Sequence, residues 1–173
     1  FILNIVKIKR KMDNKFSSQV KEIISFSREE AIRLGNEFIG TEHFVLGLIR
    51  EGENRAIQIL KTLKVDIQEL RKGIESAVKD KTGKTSPNTN SMPLTKQAER
   101  VIRITVLEAK SNKSEFVETE HLMLSILKNK ENVATLILLQ YEVDYDAFLN
   151  ELGIVTSKPP RADFNDDDDE FGE

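Results

Sequence analysis

The heptapeptide EFIGTEH at Glu37–His43 returns, in the form EFVETEH, at Glu115–His121. Around this pair, residues 16–77 align without a gap onto residues 94–155 at a constant offset of 78, and 17 of the 62 aligned positions are identical. A repeat of this length indicates a duplicated supersecondary unit. We therefore expect two copies related by a pseudo-twofold axis, so that any site carried by the repeated residues should occur twice.

The spacing of apolar residues predicts four helices in each copy. Apolar side chains recur every three or four residues, which is the pattern of one helical face, and each run follows a residue whose side-chain oxygen can accept a free backbone N–H. The candidate N-caps are Ser17, Thr41, Asn54 and Asp66 in the first copy, and Thr95, Thr119, Asn132 and Asp144 in the second. No segment of the sequence shows the alternation typical of a strand. The sequence predicts an all-α fold, with about eight helices in one compact domain.

The chain divides into five segments by composition. We expect the two repeats at 15–78 and 94–155, joined by a linker at 79–93 that is rich in Lys, Thr, Ser and Asn. Residues 1–14 begin with an apolar and then basic stretch, which we interpret as a disordered or mis-started extension. Residues 156–173 carry an acidic run that cannot bury a core, so we expect a disordered tail there.

Composition argues against several classes of function. The formal net charge of −3 provides no general attraction to nucleic acid, and the absence of cysteine removes disulfides and thiolate chemistry. The apolar stretch at the N-terminus is too short to span a bilayer, which requires about 20 residues. We expect a cytoplasmic protein without a nucleic-acid or membrane partner, and a monomeric isolated domain.

Two motifs suggest a cofactor, and neither has the required surroundings. The GKT at Gly83–Thr85 lacks the glycine that a phosphate-binding loop needs five residues earlier, since Val78 stands there. His43 and His121 are the only histidines, and neither has a second His or Cys at ligand spacing. We interpret each histidine as a residue that packs near a helix start and holds the preceding loop. The sequence therefore predicts no catalytic residue, no metal site and no cofactor in this chain.

Glu42 and Glu120 are the candidate binding residues. Each is expected in the first turn of a helix, where the helix dipole stabilises a carboxylate by about 0.3–1 kcal/mol, and that effect alone could account for both. Alternatively, a carboxylate flanked by Thr41 or Thr119 could hold a guanidinium through paired hydrogen bonds.

Ser17 and Thr95 add a second kind of chemistry to this hypothesis. If they start neighbouring helices, the free N–H groups at those helix ends would suit an anion. A guanidinium and a phosphate together describe phosphoarginine.

The repeated motif and its surroundings closely resemble the N-terminal domain of the bacterial ClpC ATPase family. The residues that carry the resemblance are EEAIRLG at Glu29–Gly35, IGTEH at Ile39–His43 and LGLIREGE at Leu46–Glu53, which are similar to the Clp amino-terminal repeat. The resemblance extends from Lys15 to about Leu152, which is nearly all of the expected folded region.

This resemblance implies a double four-helix repeat that precedes AAA+ ATPase modules, which unfold proteins and thread them into the ClpP peptidase. The domain itself would not be an enzyme. It would dock adaptor proteins and substrates, in some members substrates tagged with phosphoarginine. The tag-binding acids would be Glu42 and Glu120, beside Thr41 and Thr119. Glu118, where the first copy has a glycine, adds a negative charge near the second site and puts that site in doubt.

The same resemblance implies properties of a longer protein. Its ATPase modules are expected to bind ATP and magnesium and to form hexamers, and the acidic tail would tether the domain to them. The runner-up hypothesis is a free-standing Clp-repeat protein that acts as an accessory subunit of the Clp protease. A small metal-dependent hydrolase would need convergent ligands at usable spacing, and a purely structural helical repeat is the remaining alternative.

Overall fold

Eight α-helices make up the described part of the chain, which confirms the all-α prediction. The computed structural model describes residues 15–79 and 92–156. The expected extension, most of the linker with its GKT motif, and all but the first residue of the expected tail lie outside the described residues. The helices are α1 (Ser18–Arg33), α2 (Thr41–Glu51), α3 (Arg55–Thr62), α4 (Ile67–Val78), α5 (Lys96–Ser111), α6 (Thr119–Lys128), α7 (Val133–Leu139) and α8 (Tyr145–Thr156).

Each helix of the first repeat has a counterpart that begins 78 residues later. Most of these helices begin where a cap was predicted, because the cap side chain accepts an otherwise unpaired amide. Ser17 Oγ accepts the amide of Val20 at 3.2 Å, and Thr95 Oγ1 does the same for Ala98 at 3.1 Å. The other predicted caps that act in this way are Asn54, Asp66, Asn132 and Asp144.

The turn after the first helix of each repeat requires a left-handed residue. Gly35 provides it after α1 with a φ of 75°, a conformation that glycine adopts readily just past the end of a helix. Lys113 adopts a φ of 55° at the equivalent position after α5, although it carries a Cβ. The left-handed conformation costs a non-glycine residue roughly 1–2 kcal/mol, so the second repeat keeps the turn at a cost in stability.

Two short backbone contacts join the repeats reciprocally. Ile39 forms a parallel bridge with Leu94, and Phe16 forms one with Val117. In the first bridge the Ile39 amide donates to the carbonyl of Pro93 at 2.9 Å. Because the two bridges are related by the offset of 78, the described repeats have the pseudo-twofold relationship predicted from the sequence.

Both repeats contribute to one hydrophobic core. Its largest fully buried side chains include Phe44 from α2 and Phe148 from α8. Within the repeats α1 packs on α2 and α5 packs on α6, and between them α4 packs against α7. In the described ranges, no helix combines the length and the apolar character that a membrane crossing would demand.

Gly47 sets the close approach of α1 and α2. A Cβ at this position would stand 2.6 Å from the carbonyl oxygen of Ile23, which already accepts a hydrogen bond from the Ser27 hydroxyl at 2.7 Å. The second repeat has Ser125 at the equivalent position, and its hydroxyl donates to the carbonyl of Val101 at 2.7 Å. Equivalent carbonyls in the two repeats therefore each accept a hydroxyl. In the first repeat the hydroxyl comes from the first helix, and in the second repeat it comes from the second helix.

A buried carboxylate occupies the same position in the first helix of each repeat. Glu30 is 4 % exposed and pairs with Arg33, whose Nε donates to Oε2 at 2.7 Å. Glu108 is 1 % exposed, lies 2.5 Å from the ammonium of Lys128, and accepts the hydroxyl of Tyr145 at 2.9 Å. Burying a charge is unfavourable unless it is paired, so these contacts are part of what holds each repeat together.

Candidate binding site at the helix N-termini

A histidine closes the N-terminus of the second helix in each repeat. The amide of Gly40 donates to Nδ1 of His43 at 2.8 Å, and the amide of Glu118 donates to Nδ1 of His121 at 2.9 Å. The histidine is the third helical residue and reaches back to the residue before the helix, as a glutamate does in a capping box. The repeated TEH motif therefore encodes a helix start, in line with the interpretation of the histidines from the sequence.

The prediction that Thr41 and Thr119 are N-caps is wrong by one residue. Each threonine is the first residue of its helix, and the N-caps are Gly40 and Glu118. Because the histidine side chain already anchors this end, no hydroxyl is needed at the cap position. Both threonine side chains are thereby available for other contacts.

His43 is held as a neutral ring. Its Nδ1 accepts an amide proton, so the ring proton resides on Nε2, which lies 2.8 Å from Oδ1 of Asn36. Burial lowers the pKa of His43, against the opposing influence of the Glu42 and Glu30 carboxylates. With both ring nitrogens engaged, this histidine is not positioned as a metal ligand. Within the described ranges, no group of His, Asp and Glu side chains is arranged to hold a metal ion.

The parallel bridges bring helix N-termini of different repeats together. Both α2 and α5 begin two residues after one bridge, and both α6 and α1 begin two residues after the other. Ser17 and Thr95 therefore do not start a pair of helices at one shared site. Each instead starts a helix beside the second helix of the other repeat. The first site comprises Thr41, Glu42 and Thr95, and the second site comprises Thr119, Glu120 and Ser17.

In the first site, the Glu42 carboxylate lies over Gly40. A Cβ built on Gly40 would stand 2.6 Å from the carboxylate carbon, so the missing side chain makes room for this arrangement. The Thr41 hydroxyl is 3.4 Å from Oε2 of Glu42. The Glu42 side chain is 21 % exposed, and no Lys or Arg among the described residues pairs with it.

In the second site, the Glu120 carboxylate has a different environment. Its side chain is 10 % exposed, and its Oε1 lies 3.5 Å from Nη1 of Arg55. Thr119 Oγ1 accepts the amide of Ala56 at 3.4 Å. Glu118 carries the side chain that Gly40 lacks in the first site. The two repeated carboxylates thus have the same sequence motif and different partners.

The first site can hold ligands of either sign at neighbouring points. A carboxylate that lacks a protein cation can bind a guanidinium in a bidentate manner. The ends of α2 and α5, where backbone N–H groups are concentrated, carry partial positive charge that favours an anion. Ser17 and Thr95 already use their side-chain oxygens as caps, so their contribution to an anion would come through backbone amides.

Sequence reasoning missed Arg55 and Gly40 as residues of these sites. Arg55 belongs to the first repeat but contacts the carboxylate of the second, so no pattern within one repeat could identify it. The available signal was a difference between the copies, since the position equivalent to Arg55 is Val133. Gly40 was noted only as the counterpart of Glu118, and its role follows from the overlap that a side chain there would cause.

Comparison with known proteins places the chain in a family. Residues 15–141 match the Clp repeat (R) N-terminal domain. The chaperone protein ClpB of Oceanobacillus iheyensis is 33 % identical over 127 residues, which cover 73 % of this chain and 15 % of that protein. The negative regulator of genetic competence ClpC/MecB of Bacillus subtilis matches with the same identity, length and coverage. The chain therefore spans about 15 % of the length of these relatives.

A solved structure shows the same fold. The crystal structure of the N-terminal domain of the caseinolytic protease associated chaperone ClpD from Arabidopsis thaliana superimposes with a TM-score of 0.62 at 21 % identity. The match covers 80 % of this chain and 95 % of that domain. The family match over residues 15–141 and the relatives at 33 % identity show that the chain belongs to the Clp repeat N-terminal domain family, whose N-domains are non-catalytic.

Proposed function

We propose that this domain receives adaptor proteins and protein substrates for a ClpC-like AAA+ unfoldase that delivers them to the ClpP peptidase in the cytoplasm. Its first site, at Glu42, binds the guanidinium of phosphoarginine on tagged substrates. ATP and magnesium belong to the ATPase modules of the longer protein, which forms hexamers through them.

The observation that carries this proposal is the state of the Glu42 carboxylate. It is partly exposed, has no Lys or Arg partner among the described residues, and lies at a helix N-terminus beside a second one. A charge-assisted hydrogen bond to such a carboxylate is worth about 1.5–3 kcal/mol. A ligand that combines a guanidinium with a phosphate uses both the carboxylate and the helix ends.

An exposed aromatic side chain beside the site supports a protein ligand over a free small molecule. Phe38 precedes the N-cap of α2 by two residues and is 50 % exposed, and Phe116 is 44 % exposed at the equivalent position. A large apolar side chain in water is suited to contact the residues that flank a modified arginine in a peptide.

Isothermal titration calorimetry of the 173-residue chain with phosphoarginine tests the proposal. We expect saturable binding that Glu42→Gln weakens by about 10–150-fold, which corresponds to the loss of about 1.5–3 kcal/mol. Glu37→Gln is the matched control, because Glu37 lies in the same motif and is exposed. Free arginine and inorganic phosphate, titrated separately, report on the two halves of the ligand.

Two results would contradict the proposal. Absence of heat at millimolar phosphoarginine would remove the tag-binding function, and equal affinity for wild type and Glu42→Gln would remove Glu42 from the site. In the first case, adaptor docking is tested separately by titration with a purified adaptor protein. Sequencing of the gene beyond Glu173 decides between an unfoldase, which contains a Walker A motif downstream, and a free-standing accessory subunit.

A further inference from the structure

Arg55 places a guanidinium of the chain itself on the carboxylate of the second site. It is the first residue of α3, and its Nη1 lies 3.5 Å from Oε1 of Glu120. The next residue, Ala56, donates its amide to Thr119 Oγ1 at 3.4 Å. The start of α3 therefore contacts both residues of α6 that a ligand would use.

The first site lacks such an occupant. The residue equivalent to Arg55 is Val133, the first residue of α7, which carries no charge. Among the described residues, the basic group that lies within 4 Å of the Glu42 carboxylate is the ring of His43, at 3.8 Å, and the facing Nδ1 accepts an amide proton. The side chain of Glu42 is also more exposed than that of Glu120, at 21 % against 10 %.

We infer that Arg55 is an intramolecular substitute for the guanidinium of a ligand, which closes the second site and leaves one working site at Glu42. This inference rests on the proposed function, because it specifies how many of its two sites are open. A group tethered beside its partner acts at an effective concentration on the order of millimolar. A ligand guanidinium must compete with Arg55 for the Glu120 carboxylate, and this competition weakens the apparent affinity of the second site.

The residues around the two carboxylates act in the same direction. In the first site, Gly40 lets the Glu42 carboxylate lie over the N-cap, where a Cβ would overlap it. In the second site, Glu118 has a side chain at that place and adds a negative charge near any phosphate. Closure by Arg55 and repulsion by Glu118 are separable, because each can be removed by substitution with the residue found in the other repeat.

The test exchanges these residues and counts binding sites by calorimetry with phosphoarginine. We expect one site per chain in wild type and two in Arg55→Val/Glu118→Gly. In Arg55→Val alone, the second site should bind at least about tenfold more weakly than in the double variant, because the negative charge of Glu118 remains. The mirror variant Val133→Arg should close the Glu42 site and leave no binding. Lys61→Val, on the exposed face of α3, is the control for a β-branched substitution in that helix.

A readout without ligand checks that Arg55 lies at the second site in solution. Burial lowers the pKa of His121, nearby carboxylates oppose this, and the positive charge of Arg55 adds to the lowering. Titration of the His121 ring by NMR should therefore show a higher pKa in Arg55→Val than in wild type. An unchanged pKa would overturn the placement of Arg55.

The remaining outcomes separate this inference from the proposed function. One site in wild type and still one in Arg55→Val/Glu118→Gly would overturn the inference and leave the proposed function intact. Two sites in wild type would mean that the second site is open to ligand despite Arg55. Loss of a site in Arg55→Val would mean that Arg55 binds the phosphate of the ligand. Either result would overturn the inference that Arg55 closes the second site. Absence of binding by wild type and by every variant would overturn the proposed function, and the inference with it.

Discussion

Removal of the Lys128 ammonium should leave the Glu108 carboxylate buried without its cation. Glu108 is 1 % exposed, with Lys128 Nζ at 2.5 Å from one oxygen and the Tyr145 hydroxyl at 2.9 Å from the other. Loss of one partner from a buried pair costs about 3–5 kcal/mol. The Lys128 side chain is 49 % exposed, so water screens part of the interaction, and we expect Lys128→Met to lower the free energy of unfolding by about 2 kcal/mol.

Urea denaturation followed by circular dichroism at pH 7 measures this change. Methionine keeps most of the apolar stem of lysine, so the substitution mainly removes the charge. Glu108→Gln in the Lys128→Met background should restore about 1 kcal/mol or more, because no buried charge then remains without a partner. Lys130→Met is the control, since Lys130 is exposed two residues away, and it should change stability by less than about 0.5 kcal/mol.

The double-mutant cycle decides whether the reasoning is correct. Equal stability of Lys128→Met and Lys130→Met would refute the assignment of Lys128 as the partner of the buried carboxylate. If the loss of stability in Lys128→Met/Glu108→Gln equals the sum of the losses in Lys128→Met and in Glu108→Gln alone, the two side chains do not interact. Either result would show that Lys128 does not compensate the buried charge of Glu108.

Three further predictions concern single positions. Gly40→Ala should displace the Glu42 carboxylate and weaken phosphoarginine binding at least about tenfold. Its melting temperature should barely change, because the backbone at Gly40, with φ −99° and ψ 176°, is accessible to alanine. Binding as strong as that of wild type would contradict the packing of Glu42 on Gly40. Lys113→Gly should stabilise the domain by about 1 kcal/mol, because glycine relieves the left-handed φ at this position. Lys110→Gly, in the helix before it, should destabilise the domain by a similar amount. In urea denaturation, the midpoints of the two variants must shift in opposite directions. Burial lowers the pKa of His43, so the unfolded state takes up a proton at a higher pH than the folded state does. The stability that the neutral ring confers is therefore present above about pH 6.5 and is lost as the pH falls below that value. His43→Gln, which cannot titrate, should lose less stability than wild type between pH 7 and pH 5, and an equal loss in both proteins would exclude this histidine as the cause.

The helices were predictable because their signals are local and occur twice. Apolar spacing and caps such as Asn54 and Asp66 depend only on residues within one or two turns, and the second copy supplied an independent reading of the same pattern. The misplaced starts at Thr41 and Thr119 have a physical reason. The usual cap preference favours a hydroxyl, but here the side chain of the third helical residue reaches back and makes that hydroxyl unnecessary.

The candidate residues were predictable, but their grouping into sites was not. Thr95 joins Glu42 in the first site through a backbone bridge between segments that lie more than 50 residues apart in sequence. Such a bridge is a tertiary contact between two single residues, too short to produce the alternation that marks a strand. Likewise, Arg55 meets Glu120 only because α3 of one repeat packs against α6 of the other.

The two explanations of Glu42 left open by the sequence differ in what the residue contributes when no ligand is present. A carboxylate kept for the helix dipole stabilises the folded domain, so Glu42→Gln should then lower the free energy of unfolding by about 0.3–1 kcal/mol and leave binding unaffected. A carboxylate kept for a ligand has the opposite profile, because its strongest interaction is absent from the free domain.

Glu120 supplies an internal comparison, since it has the same place in its helix and already holds a guanidinium, that of Arg55. If interaction with the helix dipole were the role of both residues, Glu42→Gln and Glu120→Gln would lower the free energy of unfolding by the same amount. We therefore expect Glu120→Gln to destabilise the free domain more than Glu42→Gln does, and phosphoarginine to raise the melting temperature of Glu120→Gln but not that of Glu42→Gln. Equal losses of stability and equal responses to ligand would return both residues to the structural explanation.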